Sequence, residues 1–396
     1  MTSDPSVPSA PQSPVHRPVY LDNHATTRVD PRVVEAMLPW FDVWYGNAAS
    51  INHAYGTEAA AGVEEARTQI GLALNCSPTG ITFTSGGTES NNLALKGILG
   101  AAPQGRHLII SAVEHRSVLD TAKRLQRRGA RLTVLGVDQH GQVDPQAVAQ
   151  AIAPDTVLVS VILANNEVGT INPVAEIAAI CRERGVLCHT DAVQAVGKIP
   201  VDLDQLGVDL ASFTAHKIYG PKGTGALFVR PRESAIRLEP QLDGGGHERR
   251  LRSGTLAVPL IVGFAEACRL AAAELPKEVP RLQDLRDRLW HGLETRISQV
   301  HLNGHPSQRL PGNLNVSFAD VDGEQLMHRL TRIAVSSGSA CTSAEPEPSH
   351  VLKAMGLSES QSKASLRMGL GRFNTAADVD LAIEHLAQVI EKLRAR

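Results

Sequence analysis

No run of about 18 consecutive apolar residues occurs anywhere in the 396-residue chain, so a membrane-spanning helix is excluded on length alone. Neither sign of charge dominates. Lys and Arg total 39 against 41 Asp and Glu, which argues against direct nucleic-acid binding as the main task. The amino terminus lacks the basic start and apolar stretch of a secretory signal. Pro5, Pro8, Pro11, Pro14 and Pro18 among several serines instead predict a disordered arm over residues 1–19. Cysteine is sparse and odd in number, with Cys76, Cys181, Cys188, Cys268 and Cys341 widely scattered. That pattern excludes a disulfide-stapled scaffold and points to reduced thiols in the cytoplasm. Hydrophobic residues make up 42% and charged residues 20%, the balance of a globular protein with room for about two domains.

What the chain does contain is a repeated alternation. Short runs rich in Val, Ile and Leu at 81–84, 106–115, 131–137, 156–167, 185–191 and 208–217 are separated by helical patterns. Such alternation predicts an α/β fold with a mostly parallel sheet covered by helices. Several of the runs are nearly continuous in Val, Ile and Leu, as strands buried on both faces require. Within 58–74, Val63, Ala66, Ile70 and Leu74 share one helical face. From about residue 276 a long charged helix, the run 313–319 and a terminal amphipathic helix opened by Thr375 and Asp378 predict a smaller α+β domain. The expected division is a large domain over 20–275, whose first residues pack with the small one, and a small domain over 276–396.

Two segments carry chemistry. In ITFTSGGTESNNLALKG (81–97) a strand meets a helix through Gly86, Gly87 and Thr88, a geometry whose free N–H groups and helix dipole favour an anion. An ordinary strand-to-helix turn is the alternative, and the spacing fits neither a dinucleotide nor a Walker fingerprint. Further on, the strand runs end in Asp191 and Lys217, at the carboxyl edge where open α/β sheets bind ligands. A lysine for a Schiff base, a carboxylate for a pyridine nitrogen and a phosphate cup together meet the needs of pyridoxal phosphate. A Lys–Asp ion pair at the strand edge is the competing reading. A metal site at Cys188, His189 and Asp191 lacks a fourth ligand at a recognisable spacing, so no metal is expected.

The residues CHTDAVQAVGK (188–198) and ASFTAHKIYGPKGTGAL (211–227) resemble the class V aminotransferase family, in particular cysteine desulfurases of the housekeeping and nitrogen-fixation type. So do YLDNHATT (20–27), TSGGTESNN (84–92), ANNEVG (164–169), GGGHERRLRSGT (244–255), VSSGSACTSAEPEPSHVL (335–352) and SLRMGLGRF (365–373). The resemblance covers about residues 18–394. It implies fold type I of the pyridoxal-phosphate-dependent transferases, L-cysteine as substrate, sulfur-acceptor proteins as partners and a homodimer. By the same resemblance Lys217 bears the cofactor, Asp191 holds its ring nitrogen, Gln194 bonds its phenolic oxygen and His115 stacks on the ring. Asn166 contacts cofactor or substrate, and Gly87, Thr88, Thr214 and His216 bind the phosphate, with Thr255 reaching it from the other subunit. Arg367 pairs with the substrate carboxylate, and its position in an apolar run calls for a carboxylate partner. Cys341, in a Gly- and Ser-rich segment, is the expected persulfide-forming nucleophile; the other four cysteines read as core residues. A different class V enzyme, an aminotransferase or a selenocysteine lyase, would keep Lys217 and Asp191. A non-catalytic sulfur-relay or regulatory protein would keep only the fold.

Overall fold

The computed structural model describes residues 17–102, 106–337 and 348–395. Cys341 and residues 1–16 of the expected arm therefore lie outside the described residues. Val19, the last residue assigned to that arm, already belongs to a two-residue strand β1 (Val19–Tyr20).

Seven strands form the large sheet: β2 (Ile81–Thr84), β3 (His107–Ser111), β4 (Arg131–Leu135), β5 (Thr156–Ser160), β6 (Leu187–Asp191), β7 (Leu210–Thr214) and β8 (Gly225–Val229). Their order is β2-β8-β7-β6-β5-β3-β4. β8 runs antiparallel to both its neighbours, and every other pair is parallel. Alternate residues feed two cores. Ile109, Val159, Ala211 and Phe228 face one side, while Leu108, Leu158, Leu210 and Leu227 face the other. Both sheet faces are thus covered over the central strands, which is why β3, β5 and β8 are nearly continuous in apolar residues. The run 156–167 is a strand only as far as Ser160; beyond it Val161 and Leu163 donate to the carbonyls of His189 and Asp191, carrying Asn165 and Asn166 past the sheet edge.

β4 lies on one side of β3, while β5, β6 and β7 step away on the other. The crevice outside the carboxyl ends of these strands, at this reversal, is where such sheets accept ligands.

A third core belongs to β9 (Val300–Asn303), β10 (Asn313–Phe318), β11 (Ile333–Ala334), β12 (Ser336–Ser337) and β13 (Ser365–Gly369). Four of these make an antiparallel sheet in the order β12-β13-β10-β9, and β1 pairs in parallel with β11. Residues 19–21 are thereby tied to the distal unit, with Leu21 buried beside Leu289, Leu314 and Leu386. Each such side chain contributes about 1.5–3 kcal/mol. The terminal helix Ala376–Arg394 opens with the capping box of Thr375 and Asp378.

The helix Val258–Arg296 joins the two units without a break. Ile261, Phe264 and Cys268 pack in the large core, and Leu282, Leu285 and Leu289 in the distal one. The expected division at 275–276 falls within this helix, beside Pro276 and Pro280.

Candidate active site

A cavity of about 460 Å3 opens at the carboxyl edge of the parallel strands. Gly87, Thr88, His115, Asn166, Asp191, Gln194, Thr214, His216, Lys217 and Arg367 all line it. Thr255 does not; it lies exposed on the segment after the turn Glu248–Arg250.

One wall is the start of the helix Gly87–Ala101, which no side chain caps. Its first-turn N–H groups are therefore free to meet an anion. The turn depends on Gly86, whose φ of 152° and ψ of −179° suit glycine alone, and the adjacent strand approaches so closely that a Cβ on Gly225 would lie 2.7 Å from the Gly86 Cα. Thr214 closes the same wall, its hydroxyl donating to the Thr224 carbonyl at 2.8 Å. His216 bonds Thr26 through Nδ1 at 3.1 Å. Burial, followed by the charge of Lys217, pushes this imidazole down to about 4, so it is neutral.

Asp191 ends β6 and is buried. It accepts from the Val193 backbone at 3.0 Å and from Asn91 Nδ2 at 2.7 Å. Asn91 gives its other hydrogen to Ser117 Oγ at 2.8 Å, and that hydroxyl lies 2.8 Å from His115 Nδ1. Because His115 Nδ1 also accepts from the Ser117 N–H at 3.1 Å, the ring proton of the neutral imidazole resides on Nε2. His115 is at once the N-cap of the helix Arg116–Arg127 and a cavity residue. Burial lowers its pKa, with Asp191 opposing.

Lys217 follows β7 on a short turn, and its Nζ donates to the carbonyls of His24 and Ala25, both at 2.6 Å. Burial, then the Arg367 cation, brings its pKa down to about 8. Arg367, on β13, finds the carboxylate partner its apolar run called for in Asp22, 2.9 Å away, and also donates to the Asn166 carbonyl at 3.1 Å. Its Nε and Asn166 Oδ1 are buried without a partner.

No role was expected of several further cavity residues. His24, Ala25, Asn91, Ser117, Glu167, Ser336 and Ser337 join the wall because distant segments converge there; all but Ser117 lie in the motifs YLDNHATT, TSGGTESNN, ANNEVG and VSSGSACTSAEPEPSHVL, but nothing in those motifs says which side chains face the cavity. Glu167 is buried, bonds Ser349 Oγ, and is pushed up to about 7 by that burial. His189 points away, its ring nitrogens bonding Ser160 at 2.8 Å and Ser212 at 3.0 Å. Among the described residues no group of three or more His, Cys, Asp or Glu stands close enough to hold a metal ion. Cys181, Cys188 and Cys268 are buried, and Cys76 is half-buried.

Residues 19–381 match the family described as Aminotransferase class-V. The Cysteine desulfurase IscS of Anaeromyxobacter dehalogenans (strain 2CP-C) is 52% identical over 378 residues, spanning 95% of this chain and 93% of that one. A solved structure described as a NifS-like protein superimposes with a TM-score of 0.88 at 38% identity, covering 95% of this chain and 100% of the other. A second, SspA in complex with cysteine, gives a TM-score of 0.80 at 34% identity, covering 90% of this chain and 100% of the other.

Proposed function

The chain belongs to the class V aminotransferase family, and on that premise we propose that it is a pyridoxal-phosphate-dependent cysteine desulfurase, converting L-cysteine to L-alanine and passing the sulfur to acceptor proteins. The observation that carries this reading is the single cavity shared by the Lys217 amine, the Asp191 carboxylate and the uncapped helix start at Gly87 and Thr88.

The residues present suit the cofactor. The helix start and His216 supply an anion cup for its phosphate. Asp191, buried and already bonded on both oxygens, has remaining lone pairs for a protonated ring nitrogen. The unpartnered Asn166 Oδ1 and Arg367 Nε suit the polar groups of cofactor and substrate. When bound, pyridoxal phosphate supplies an electron sink for bonds at the substrate Cα.

The chain's own groups do the rest. Arg367 binds the substrate carboxylate, held in place by Asp22. Lys217, once free, moves the Cα proton; the carbonyls of His24 and Ala25 receive its amine when it is not engaged. His115 offers Nε2–H over the cavity and serves proton transfer near the ring. The Cys341 thiolate takes the sulfur as a persulfide while the substrate leaves as alanine, so one S–S bond forms as the C–S bond breaks. A thiol nucleophile of this kind works where thiols stay reduced, which favours the cytoplasm. Scaffold proteins for iron–sulfur assembly and sulfurtransferases for tRNA thiolation are the fitting acceptors.

The decisive experiment compares the parent with Cys341→Ala, recording the visible spectrum before and after L-cysteine and assaying sulfide and alanine with a reductant. A band that responds to cysteine in both proteins, with sulfide released by the parent alone, is the expected result. A responsive band with no sulfide from the parent would move the reading to an aminotransferase. No band after loading with pyridoxal phosphate would end the enzyme reading.

A further inference from the structure

The Gln194 side chain, which lines the cavity, is held at both its oxygen and its nitrogen before any ligand arrives. Its Nε2 donates to the His24 carbonyl at 2.9 Å. Its Oε1 lies 2.5 Å from Lys198 Nζ and 3.0 Å from His24 Nδ1. A backbone carbonyl only accepts, so the amide atom facing it is the nitrogen, and the oxygen is left to Lys198 and His24. Both must then donate. The His24 ring proton is therefore on Nδ1, while its Nε2 is buried and without a partner. Burial, seconded by Lys198, depresses the His24 pKa well below its usual range and keeps the ring neutral.

The amide has two hydrogens, and the His24 carbonyl uses one. The second belongs to a side chain that lines the cavity. Lys198 does not line it; it sits behind Gln194, 3.4 Å from His24 Nδ1. We infer that Lys198 and His24 are positioning residues for Gln194, fixing its amide so that the second Nε2–H is presented to the cavity, where it donates to the anionic ring oxygen of bound pyridoxal phosphate. This rests on the cofactor reading above. The arrangement also strengthens the donor, because hydrogen bonds accepted at an amide oxygen polarise its N–H.

The test is a double-mutant cycle read by spectroscopy rather than turnover. The parent, Lys198→Met, Gln194→Leu and the double variant are loaded with pyridoxal phosphate, and the visible band of each is titrated with pH. Removing a donor from the ring oxygen raises the midpoint. Lys198→Met is expected to raise it by about one unit, a tenfold change in proton affinity, and the double variant to titrate where Gln194→Leu alone does. Lys198→Arg, which keeps a donor, should return the midpoint toward that of the parent. His24→Phe removes only the Nδ1 donor, since its backbone carbonyl remains, and gives a second upward shift should Lys198→Met fail to fold. Two results overturn the inference: full cofactor content with an unmoved midpoint in both Lys198→Met and His24→Phe, or shifts that add fully in the double variant, which would mean that Lys198 acts by charge and not through Gln194. A parent with no band at all removes the cofactor reading and this inference with it, whereas a normal band with unmoved midpoints removes the inference alone.

Discussion

Lys217 can take up a carbonyl cofactor only as a neutral amine, and its surroundings set the pH at which that form appears. Burial and the Arg367 cation bring it to about 8, against the opposing carboxylates of Asp22 and Asp191. Below that pH the ammonium is held by the His24 and Ala25 carbonyls; above it the amine is free. The rate at which cofactor-free protein takes up pyridoxal phosphate should therefore climb with pH through about 8, not through the ordinary lysine range near 10.4. Arg367→Met removes a cation that lowers the Lys217 pKa and leaves Asp22 uncompensated, so the midpoint of that rise should move to higher pH. Stopped-flow absorbance at a series of pH values measures it, and an unchanged midpoint would mean that Arg367 does not act on Lys217. Lys217, Asp191 and Arg367 were legible in the sequence because strand ends and family motifs mark them. Asp22, His24 and Lys198 were not assigned roles, because their partners lie 345, 170 and 4 residues away and no spacing rule joins the first two pairs.

At the scale of elements, the turn Glu248–Arg250 is the most strained part of the backbone described. Three consecutive non-glycine residues hold positive φ, at 48°, 57° and 69°, a conformation that costs of order 1–3 kcal/mol per residue. It persists because Glu248 is buried against Arg67, accepting at 2.8 and 3.0 Å, and also accepts from the Phe83 N–H at 2.7 Å. A second clip, Arg252 to Glu89 at 2.8 Å, ties the following residues to the helix that forms the anion cup. Glu248→Ala would leave the buried Arg67 with only the exposed Glu64 carboxylate, 3.2 Å away, as counter-charge and should lower unfolding free energy by about 3 kcal/mol in urea titrations, while replacing both partners by leucine should cost clearly less. Equal losses would mean that the ion pair is not what holds the turn. Neither strain nor clips could be read from GGGHERRLRSGT, since the bonds run to β2, to the helix Ala54–Ala73 and to the helix Gly87–Ala101. Six of the seven strands of the large sheet, by contrast, were readable from their Val, Ile and Leu; β8 (Gly225–Val229), the one antiparallel to its neighbours, was not read, because it follows the Lys217 motif with Gly-rich turns on the way. The long helix Val258–Arg296 hid its continuity behind Pro276 and Pro280, residues that ordinarily mark a helix end.

For the molecule as a whole, a broad apolar surface stands uncovered on the single chain. Leu38, Phe41 and Val43 are each 58% exposed, Tyr45 62% and Ile51 80%, a concentration far beyond the scattered apolar residues of an ordinary surface. Ala48 and Ala49 from this region line the same hollow as His247 and Leu256, so the apolar surface adjoins the segment that carries Thr255. On the homodimer reading, a second copy seated there would receive Thr255 close to its own cavity, which would explain why Thr255 lies away from the cavity of its own chain. The homodimer reading then makes a prediction that symmetry renders sharp. Lys217→Ala and Thr255→Ala each spoil every site in their homodimers. In a mixed dimer, however, the cavity with an intact Lys217 is served by the intact Thr255 of the other subunit, so co-expression of the two chains should restore about a quarter of the parent sites. Cofactor retained after dialysis and sulfide released from L-cysteine both count those sites. If Thr255 instead served its own chain, every site in the mixture would lack one residue or the other, and neither readout would rise above the two variants alone.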